Sequence, residues 1–232
     1  MKKSIQEQVD YMKNYIGRKR LKGMLDKLTQ EKNSEIKVLG EGAYSVVFGY
    51  KDIAIKFYKD KAYVSKLYTI NNHRVSSNTD LDPEKNDAEI LKDLCGIDAI
   101  PELYYSNKRY IIVERIIGKT IQEKIYNNEK IDENKHNSLY EDMNKNIINI
   151  SKIGYIINDM HDGNVMITDS GKLKIIDVGL FYKVIRTQEQ IYRLNMSHTE
   201  EVFGEIESLV KWYSGKFSKN KYRWWKKWKQ MY

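Results

Sequence analysis

Residues 156–179, IINDMHDGNVMITDSGKLKIIDVG, carry the most informative pattern of this chain. Two apolar, strand-forming runs, VMIT and KLKIID, flank the turn-forming sequence Asp-Ser-Gly at residues 169–171. A short hairpin of this kind would bring Asn164 at its mouth close to Asp177 at its far end, with Asp159 beside them. Oxygen-bearing side chains grouped in this way suit a hard cation such as Mg²⁺, with a carboxylate base next to it.

Length and composition indicate a globular protein with one large domain or two small lobes around a cleft. The chain has 232 residues and no run of eighteen apolar residues that could span a membrane. Its N-terminal sequence lacks the apolar core of a signal peptide. The single cysteine, Cys95, excludes an internal disulfide and fits a reducing compartment. We therefore expect a cytoplasmic location.

The net charge of +8 is concentrated at the C-terminal end of the chain. Residues 211–232 carry eight lysines and arginines, no acid, and all four tryptophans. In a helix, Trp224, Trp228 and Met231 would share one stripe. Such a basic amphipathic helix is typical of contacts with an anionic membrane or a nucleic-acid backbone. The favoured alternative is that its aromatic side chains pack on the body of the protein, because tryptophan is costly to leave exposed.

The chain begins with a helical pattern. Apolar residues at helical spacing predict a helix over residues 4–28, with the basic run Arg18-Lys19-Arg20 in its middle. A solvated helix face is the favoured interpretation of that run, and a nucleic-acid contact is the alternative.

From residue 35 the pattern becomes β. The sequence IKVLGEGAYSVVFGYKDIAIKFYK predicts three strands joined by a glycine turn and a tight turn, with the third strand ending at Lys56. Gly40 and Gly42 would let the backbone come close to a ligand, and amides there would face phosphate oxygens. Lys56 alternates with apolar neighbours, so its side chain should point to the opposite face, where a phosphate would neutralise it.

A second helix follows a polar, turn-rich segment at residues 60–82, which predicts a loop or a partly helical insertion. Pro83 at a first-turn position begins the helix and Gly96 ends it. Asp87 lies on the same side of this helix as its apolar residues, so a carboxylate is expected on its buried face.

Two more strands precede the helical half of the chain. The sequence after Pro101 predicts both strands, with Glu114 directly after the second apolar run. Gly118 then loosens the chain, and residues 119–157 predict helices with asparagine-rich joints.

The order of these motifs resembles the protein-kinase-like fold over residues 36–180. LGEGAYSVV is similar to the glycine-rich loop, IAIK to the lysine strand, VERIIG to the hinge, NDMHDGN to the catalytic loop and DVG to the metal-binding motif. The resemblance implies an α+β, two-lobed fold, with an antiparallel sheet and one helix in the N-lobe and a small, mostly helical C-lobe. We expect the N-lobe at 34–115 and the C-lobe at 116–210, between a helical extension at 1–33 and the basic, Trp-rich helix at 211–232.

The resemblance also implies a role for each motif residue, with ATP and Mg²⁺ as cofactors. Lys56 would contact the α- and β-phosphates and Asp159 would be the catalytic base. Asn164 and Asp177 would hold the metal. The residues implied to contact the nucleotide are Leu39, Gly40, Gly42, Val47, Ala54, Lys56, Asp87, Glu114 and Ile116, the last two through the Glu114 carbonyl and the Ile116 backbone N–H at the adenine edge.

The catalytic loop departs from the protein-kinase pattern. Ile157 and Asn158 replace His-Arg before the base, so the arginine that pairs with an activation-loop phosphate is missing and that form of switching is not expected. His161 lies where protein kinases usually have lysine, as in aminoglycoside and other small-molecule phosphotransferases and in atypical protein kinases. It would help to place the γ-phosphate, or it would order the loop by a hydrogen bond.

The acid that pairs with Lys56 and the size of the C-lobe also depart from the pattern. The usual spacing selects Asp87, which is one methylene shorter than glutamate, and Glu84 and Glu89 remain alternatives. Ser45 replaces the third glycine of the loop. No A-P-E element follows Gly179, and 53 residues remain, so we expect a reduced peptide-docking platform.

Three functions are compatible with these motifs. The favoured hypothesis is a minimal, atypical serine/threonine protein kinase that transfers the ATP γ-phosphate to a hydroxyl, with a protein substrate favoured over a small molecule. The alternatives are a small-molecule, aminoglycoside-like kinase and a nucleotide-binding pseudokinase.

Overall fold

The structure is a computed structural model. It describes residues 4–31, 34–42, 44–59 and 83–210. The predicted insertion at 60–82 and the predicted basic helix at 211–232 lie outside the described residues. The helices are α1 Ile5–Ile16, α2 Leu21–Gln30, α3 Pro83–Asp93, α4 Ile121–Tyr126, α5 Glu133–Ile153, α6 Gln188–His198 and α7 Glu200–Ser208. The strands are β1 Lys37–Glu41, β2 Ser45–Tyr50, β3 Ile53–Tyr58, β4 Leu103–Ser106, β5 Tyr110–Glu114, β6 Gly118–Thr120, β7 Tyr155–Ile156, β8 Val165–Thr168, β9 Leu173–Ile175 and β10 Tyr182–Lys183.

The N-lobe is built on an antiparallel five-stranded sheet with the order β1-β2-β3-β5-β4. The central strand β3 is buried at every position because both of its faces are covered. Ile53, Ile55 and Phe57 face one side of the sheet and join an apolar cluster there. Ala54 and Lys56 alternate with them and line a cleft on the other side. The third strand continues to Tyr58, two residues beyond the predicted end at Lys56.

Two helices, not one, cover the outer face of this sheet. The prediction of one continuous helix over residues 4–28 is wrong. Gly17 adopts φ 52° and ends α1, and α2 begins after a short turn. Such a backbone conformation suits glycine and ends the helix at that point. The turn is fixed from the sheet: Arg109 donates to the carbonyl oxygens of Gly17 and Lys19, each at 2.6 Å.

Both helices contribute apolar side chains to the cluster on the sheet. Val9, Met12 and Ile16 of α1 and Met24 of α2 pack against buried residues of β2, β3 and β5. Gln8 adds two hydrogen bonds to Asp52 in the β2–β3 turn, one to its carboxylate at 2.9 Å and one from its backbone N–H at 3.0 Å. The helical extension is therefore part of the N-lobe core.

The C-lobe is mostly helical, with two small sheets. Helix α5 packs against α6 and α7, and the strand orders are β6-β8-β9 and β10-β7. The expected loosening at Gly118 is wrong, because this residue begins β6 and pairs with Thr168. A Cβ atom on Gly118 would lie 2.3 Å from the carbonyl oxygen of Ile167, so only glycine permits this close pairing. The predicted all-helical segment 119–157 likewise includes β7.

The predicted fold class is confirmed: the protein is α+β, with an antiparallel sheet in one lobe and helices dominating the other. The two lobes share one apolar core. It runs from Ile90 and Leu91 of α3, and Leu94 just after this helix, to β8, β9 and the C-lobe helices. The segment after α3 is tied to the C-lobe by backbone bonds, since Ile175 N–H donates to the Ala99 carbonyl at 2.8 Å. No helix within the described ranges is both long and apolar enough to cross a bilayer.

Met12→Ala should lower the free energy of unfolding by about 2–4 kcal/mol, because Met12 is fully buried between α1 and the sheet. Chemical denaturation followed by far-UV circular dichroism measures this change. Asn14→Ala, at an exposed position on the same helix, is the matched control and should stay within about 0.5 kcal/mol of wild type. Equal effects of the two substitutions would contradict the packing of α1 on the sheet.

Candidate active site

A largely apolar cavity of about 390 Å³ lies between the lobes. Its walls come from the glycine turn, β3, β5, the connection to β6, and β9. A smaller cavity of about 50 Å³ lies at the glycine turn and the catalytic loop, and Lys56 lines both. The predicted residues that line the larger cavity are Leu39, Gly40, Val47, Ala54, Lys56, Asp87, Glu114 and Ile116. Those that line the smaller one are Gly42, Lys56, Asp159 and Asp177. His161 and Asn164 line neither.

The glycine turn is a tight connection between β1 and β2. Gly42 N–H donates to the Ser45 carbonyl at 2.9 Å, and the contact of amides in this turn with phosphate oxygens stays a prediction. The buried ammonium of Lys59 donates to the Glu41 carboxylate at 2.6 Å and to the Gly42 carbonyl at 2.8 Å, and so stabilises the turn. A Cβ atom on Gly40 or Gly42 would meet no atom of the described residues within 4 Å, so the space above both glycines is open to a ligand.

The hinge side of the larger cavity is fixed by the last residues of β5. The Glu114 carboxylate pairs with Lys174 of β9 at 2.8 Å, which joins the hinge to the C-lobe sheet. Its backbone N–H donates to the Glu102 carbonyl at 2.8 Å. Ile116 follows in the connection between the lobes. The contacts of Glu114 and Ile116 with an adenine edge stay predictions.

Lys56 is the centre of the charged part of the site. Its ammonium lies 2.8 Å from Asp87 Oδ2 and 2.9 Å from Asp177 Oδ1. The Lys56 side chain is 10% exposed and that of Asp87 2% exposed, whereas that of Asp177 is 42% exposed. Of the three acids considered as partners, Asp87 contacts Lys56. Glu89 is exposed to solvent, and the side chain of Glu84 lies outside the described part of the chain.

The two carboxylates keep Lys56 charged. Burial disfavours the ammonium form, but the attraction of Asp87 and Asp177 outweighs this and raises the pKa of Lys56 above its ordinary value. Burial also raises the pKa of Asp87, against the opposing effect of Lys56. A buried charge of this kind is tolerated only when its partners are in place.

The predicted hairpin is present and brings Asn164 and Asp177 close together. Strands β8 and β9 pair antiparallel, with Val165 opposite Ile175. Ile176 N–H donates to the Asn164 carbonyl at 2.9 Å, which places Asn164 beside the residue that precedes Asp177.

Asp159 lies in a strained loop that Asn164 stabilises. The Asp159 backbone adopts φ 58°, a left-handed conformation that non-glycine residues seldom take. Asn164 Nδ2 donates to the Asp159 carbonyl at 2.9 Å and so holds this conformation. Partial desolvation in the cleft raises the pKa of the Asp159 carboxyl, with His161 and Asn164 opposing the change.

The residues present fit a magnesium ion. The amide nitrogen of Asn164 is used by Asp159, which leaves its oxygen as the group able to coordinate, and the Asp177 carboxylate opens to the cleft. Hard oxygen donors of this type are those that Mg²⁺ prefers. No three His, Cys, Asp or Glu side chains form a cluster within the described ranges. Two protein ligands are nevertheless usual for Mg²⁺ that is also bound by phosphates and water.

His161 orders the loop. Its Nδ1 accepts a hydrogen bond from Gly163 N–H at 3.1 Å, and its side chain is 44% exposed. A Cβ atom on Gly163 would lie 2.9 Å from the His161 ring, so the glycine makes room for it. This contact matches the loop-ordering alternative, and the contact of His161 with a γ-phosphate stays a prediction.

Two residues of α6 hold the catalytic loop, and the sequence motifs do not include them. Asn195 is 0% exposed. Its Oδ1 accepts from Ile157 N–H at 2.7 Å, and its Nδ2 donates to the Tyr155 carbonyl at 2.9 Å. His198 Nδ1 lies 2.6 Å from the Ile157 carbonyl. The loop backbone is thus fixed where His-Arg is missing. The one sequence signal was a polar residue four positions after Ile191, on the buried stripe of α6.

Comparison with known proteins agrees with this geometry. A sequence model of the family described as ABC1 atypical kinase-like domain matches residues 43–202, more than half of the chain. A probable serine/threonine-protein kinase, fnkB, of Dictyostelium discoideum is 36% identical over 101 residues, which is 41% of this chain. The match spans 19% of that relative's length. The chain belongs to the ABC1 atypical kinase-like domain family, and the resemblance to the protein-kinase-like superfamily is confirmed.

Asn195→Ala should lower the free energy of unfolding by about 2–4 kcal/mol, because it leaves the buried Ile157 N–H and Tyr155 carbonyl without partners. Hydrogen exchange at the Ile157 amide should accelerate in the same variant. Ser197→Ala, exposed on the same helix, is the control and should change neither quantity. An unchanged Ile157 amide in Asn195→Ala would show that α6 does not hold the loop.

Proposed function

We propose that this chain is an ATP- and Mg²⁺-dependent phosphotransferase, a minimal serine/threonine protein kinase that transfers the γ-phosphate of ATP to a hydroxyl of a protein substrate. The observation that carries the proposal is the convergence of Lys56, Asp159 and Asp177 on one small cavity, next to a larger apolar one. Phosphoryl transfer needs positioning and charge neutralisation more than covalent chemistry, and this arrangement offers both.

Each part of the cleft has a distinct task in this proposal. The apolar cavity, with Val47 and Ala54 in its wall, would enclose the adenine ring, and Lys56 at its inner end would contact the α- and β-phosphates. Asn164 and Asp177 would hold Mg²⁺, which when bound neutralises the charge on the β- and γ-phosphates. Gly40 and Gly42 would allow the backbone to close over the phosphates.

Asp159 would orient the acceptor hydroxyl and accept its proton. It lines the small cavity with Asp177 and Asn158, at the side open to solvent. Burial raises the pKa of its carboxyl above the ordinary value, which makes it a somewhat stronger base than an ordinary aspartate. The name of the Dictyostelium relative supports a protein acceptor.

The segment that follows Asp177 is ordered by contacts that need no phosphate group. Strand β10 pairs with β7, and Lys183 contacts Asp93 at the end of α3 at 3.0 Å. Tyr155 donates to the same carboxylate at 2.9 Å. We therefore propose that activity does not depend on phosphorylation of this segment.

Purified chain incubated with labelled ATP, Mg²⁺ and a generic protein substrate should transfer label to protein. Asp159→Asn and Asp177→Asn should each reduce transfer by at least about 100-fold, because they remove the base and a metal ligand. Asp169→Asn, in the exposed β8–β9 turn, is the matched control and should be as active as wild type. Chelation of the metal should stop transfer.

Other results of this assay would select another function. Nucleotide binding without transfer by wild type would support a pseudokinase. Turnover of ATP only on addition of an aminoglycoside or sugar library would support a small-molecule kinase. Transfer by both aspartate variants at the wild-type rate would contradict the proposed site.

Treatment of the purified chain with a protein phosphatase, followed by its removal, should leave the initial transfer rate unchanged within about twofold, because the segment is ordered by backbone pairing. Mass spectrometry confirms that the treated chain carries no phosphate. A large loss of the initial rate that returns after incubation with ATP would contradict this proposal.

A further inference from the structure

Asp87 receives a second hydrogen bond besides that of Lys56. The hydroxyl of Tyr58 donates to Asp87 Oδ2 at 2.9 Å, and Lys56 Nζ lies 2.8 Å from the same oxygen. All three side chains are buried. The position of the carboxylate that pairs with Lys56 is therefore set by two groups from one strand.

The alternation of β3 explains why both groups reach one carboxylate. Lys56 and Tyr58 are two residues apart, so their side chains emerge on the same face of the strand. That face is the one opposite to α1 and α2, and α3 packs near it through Ile90 and Leu91, which join Tyr58 in one apolar cluster. Asp87 precedes these residues by one helical turn and so faces the strand.

The other oxygen of Asp87 lies against the backbone of the metal-binding motif. A Cβ atom on Gly179 would be 2.7 Å from Asp87 Oδ1 and 3.4 Å from Asp177 Oδ1. Gly179 N–H also donates to Asp177 Oδ1 at 3.1 Å. The Asp87 carboxylate therefore occupies the space that a side chain at residue 179 would need.

We propose that Tyr58 is a positioning residue, which fixes the Asp87 carboxylate on Lys56 and forms, with Gly179, a site matched to aspartate instead of glutamate. This inference rests on the proposed phosphotransfer. Tyr58 acts through Asp87 and Lys56 and does not itself touch the reacting groups. Residue 87 is an aspartate where the family usually has a glutamate. The Tyr58 hydroxyl and the absence of a side chain at Gly179 compensate for this difference.

Tyr58→Phe removes the hydroxyl and keeps the ring in the core. It should lower kcat about tenfold with little change in the KM for ATP, because a hydrogen bond to a charged group is lost while the cavity is unchanged. Tyr15→Phe is the matched control. It also removes a tyrosine hydroxyl that donates to a carboxylate, that of Glu31, at 2.8 Å, on the helices that cover the outer face of the sheet. This control should leave kcat within about twofold, and thermal melting of both variants reports their folding.

A double-mutant cycle separates positioning from packing. In an Asp87→Asn background, Tyr58→Phe should lower kcat by less than about twofold, because the carboxylate on which the hydroxyl acts is gone. Asp87→Glu, which restores the usual acid, should lower kcat instead of raising it. Independent multiplicative effects in the cycle, or a faster Asp87→Glu variant, would overturn the proposal.

A measurement without phosphotransfer distinguishes failure of this inference from failure of the proposed function. Brief acetylation with acetic anhydride, quantified at Lys56 by mass spectrometry, reports how firmly the ammonium is paired, since only the free amine reacts. Tyr58→Phe should increase labelling of Lys56 several-fold, and Tyr15→Phe should not. If wild type transfers no phosphate, the proposed function fails and the labelling alone decides. Equal labelling in wild type and Tyr58→Phe would then overturn the positioning role.

Discussion

The buried ammonium of Lys56 is the constraint on which the rest of the structure depends. A charge that is 10% exposed is costly unless carboxylates surround it, and its two partners come from different parts of the chain. Asp87 comes from α3 and Asp177 from the segment after β9. Satisfying one lysine therefore requires the sheet, the helix and the C-lobe hairpin to meet at one point. The two lobes are oriented by the same contacts that build the charged end of the cleft.

Other contacts make this arrangement rigid. Strand β3 is covered by α1 and α2 on one face, so Lys56 projects from a strand with no exposed side. The Ala99 carbonyl ties the segment after α3 to β9, and the Glu114–Lys174 pair ties the hinge to the same strand. An ion pair across a flexible joint would gain little, because ordering its side chains costs entropy. Here the supporting backbone is already fixed, so less entropy is lost when the pairs form.

The sequence predicts those features that local chemistry determines. The β8–β9 hairpin follows from two strand-forming runs around Gly171, which adopts φ 83°, and the cleft-facing side of Lys56 follows from strand alternation. The roles assigned to the predicted site residues stay predictions. Features that depend on contacts between distant segments were missed. Three such contacts join residues that are far apart in the chain or lie on different elements. They are the pairing of Gly118 with β8, the hydrogen bond from Ile157 N–H to Asn195, and the hydrogen bond from the Tyr58 hydroxyl to Asp87. The usual spacing selected Asp87 as the partner of Lys56, and the packing of α3 brings it there while Glu89 faces solvent.

The catalytic loop shows why a departure from a motif need not alter the geometry behind it. Ile157 is buried and its backbone N–H and carbonyl contact Asn195 and His198, so the loop is anchored without the missing His-Arg pair. Asn164 then holds Asp159 in its left-handed conformation. Without the arginine, the segment after Asp177 lacks a partner for a phosphate group. The ion pair of Lys183 with Asp93 lies at the surface and is too exposed to stabilise the segment as strongly as such a contact would. Backbone pairing of β10 with β7 must therefore supply most of the order in that segment, which separates the proposed chemistry from control by phosphorylation.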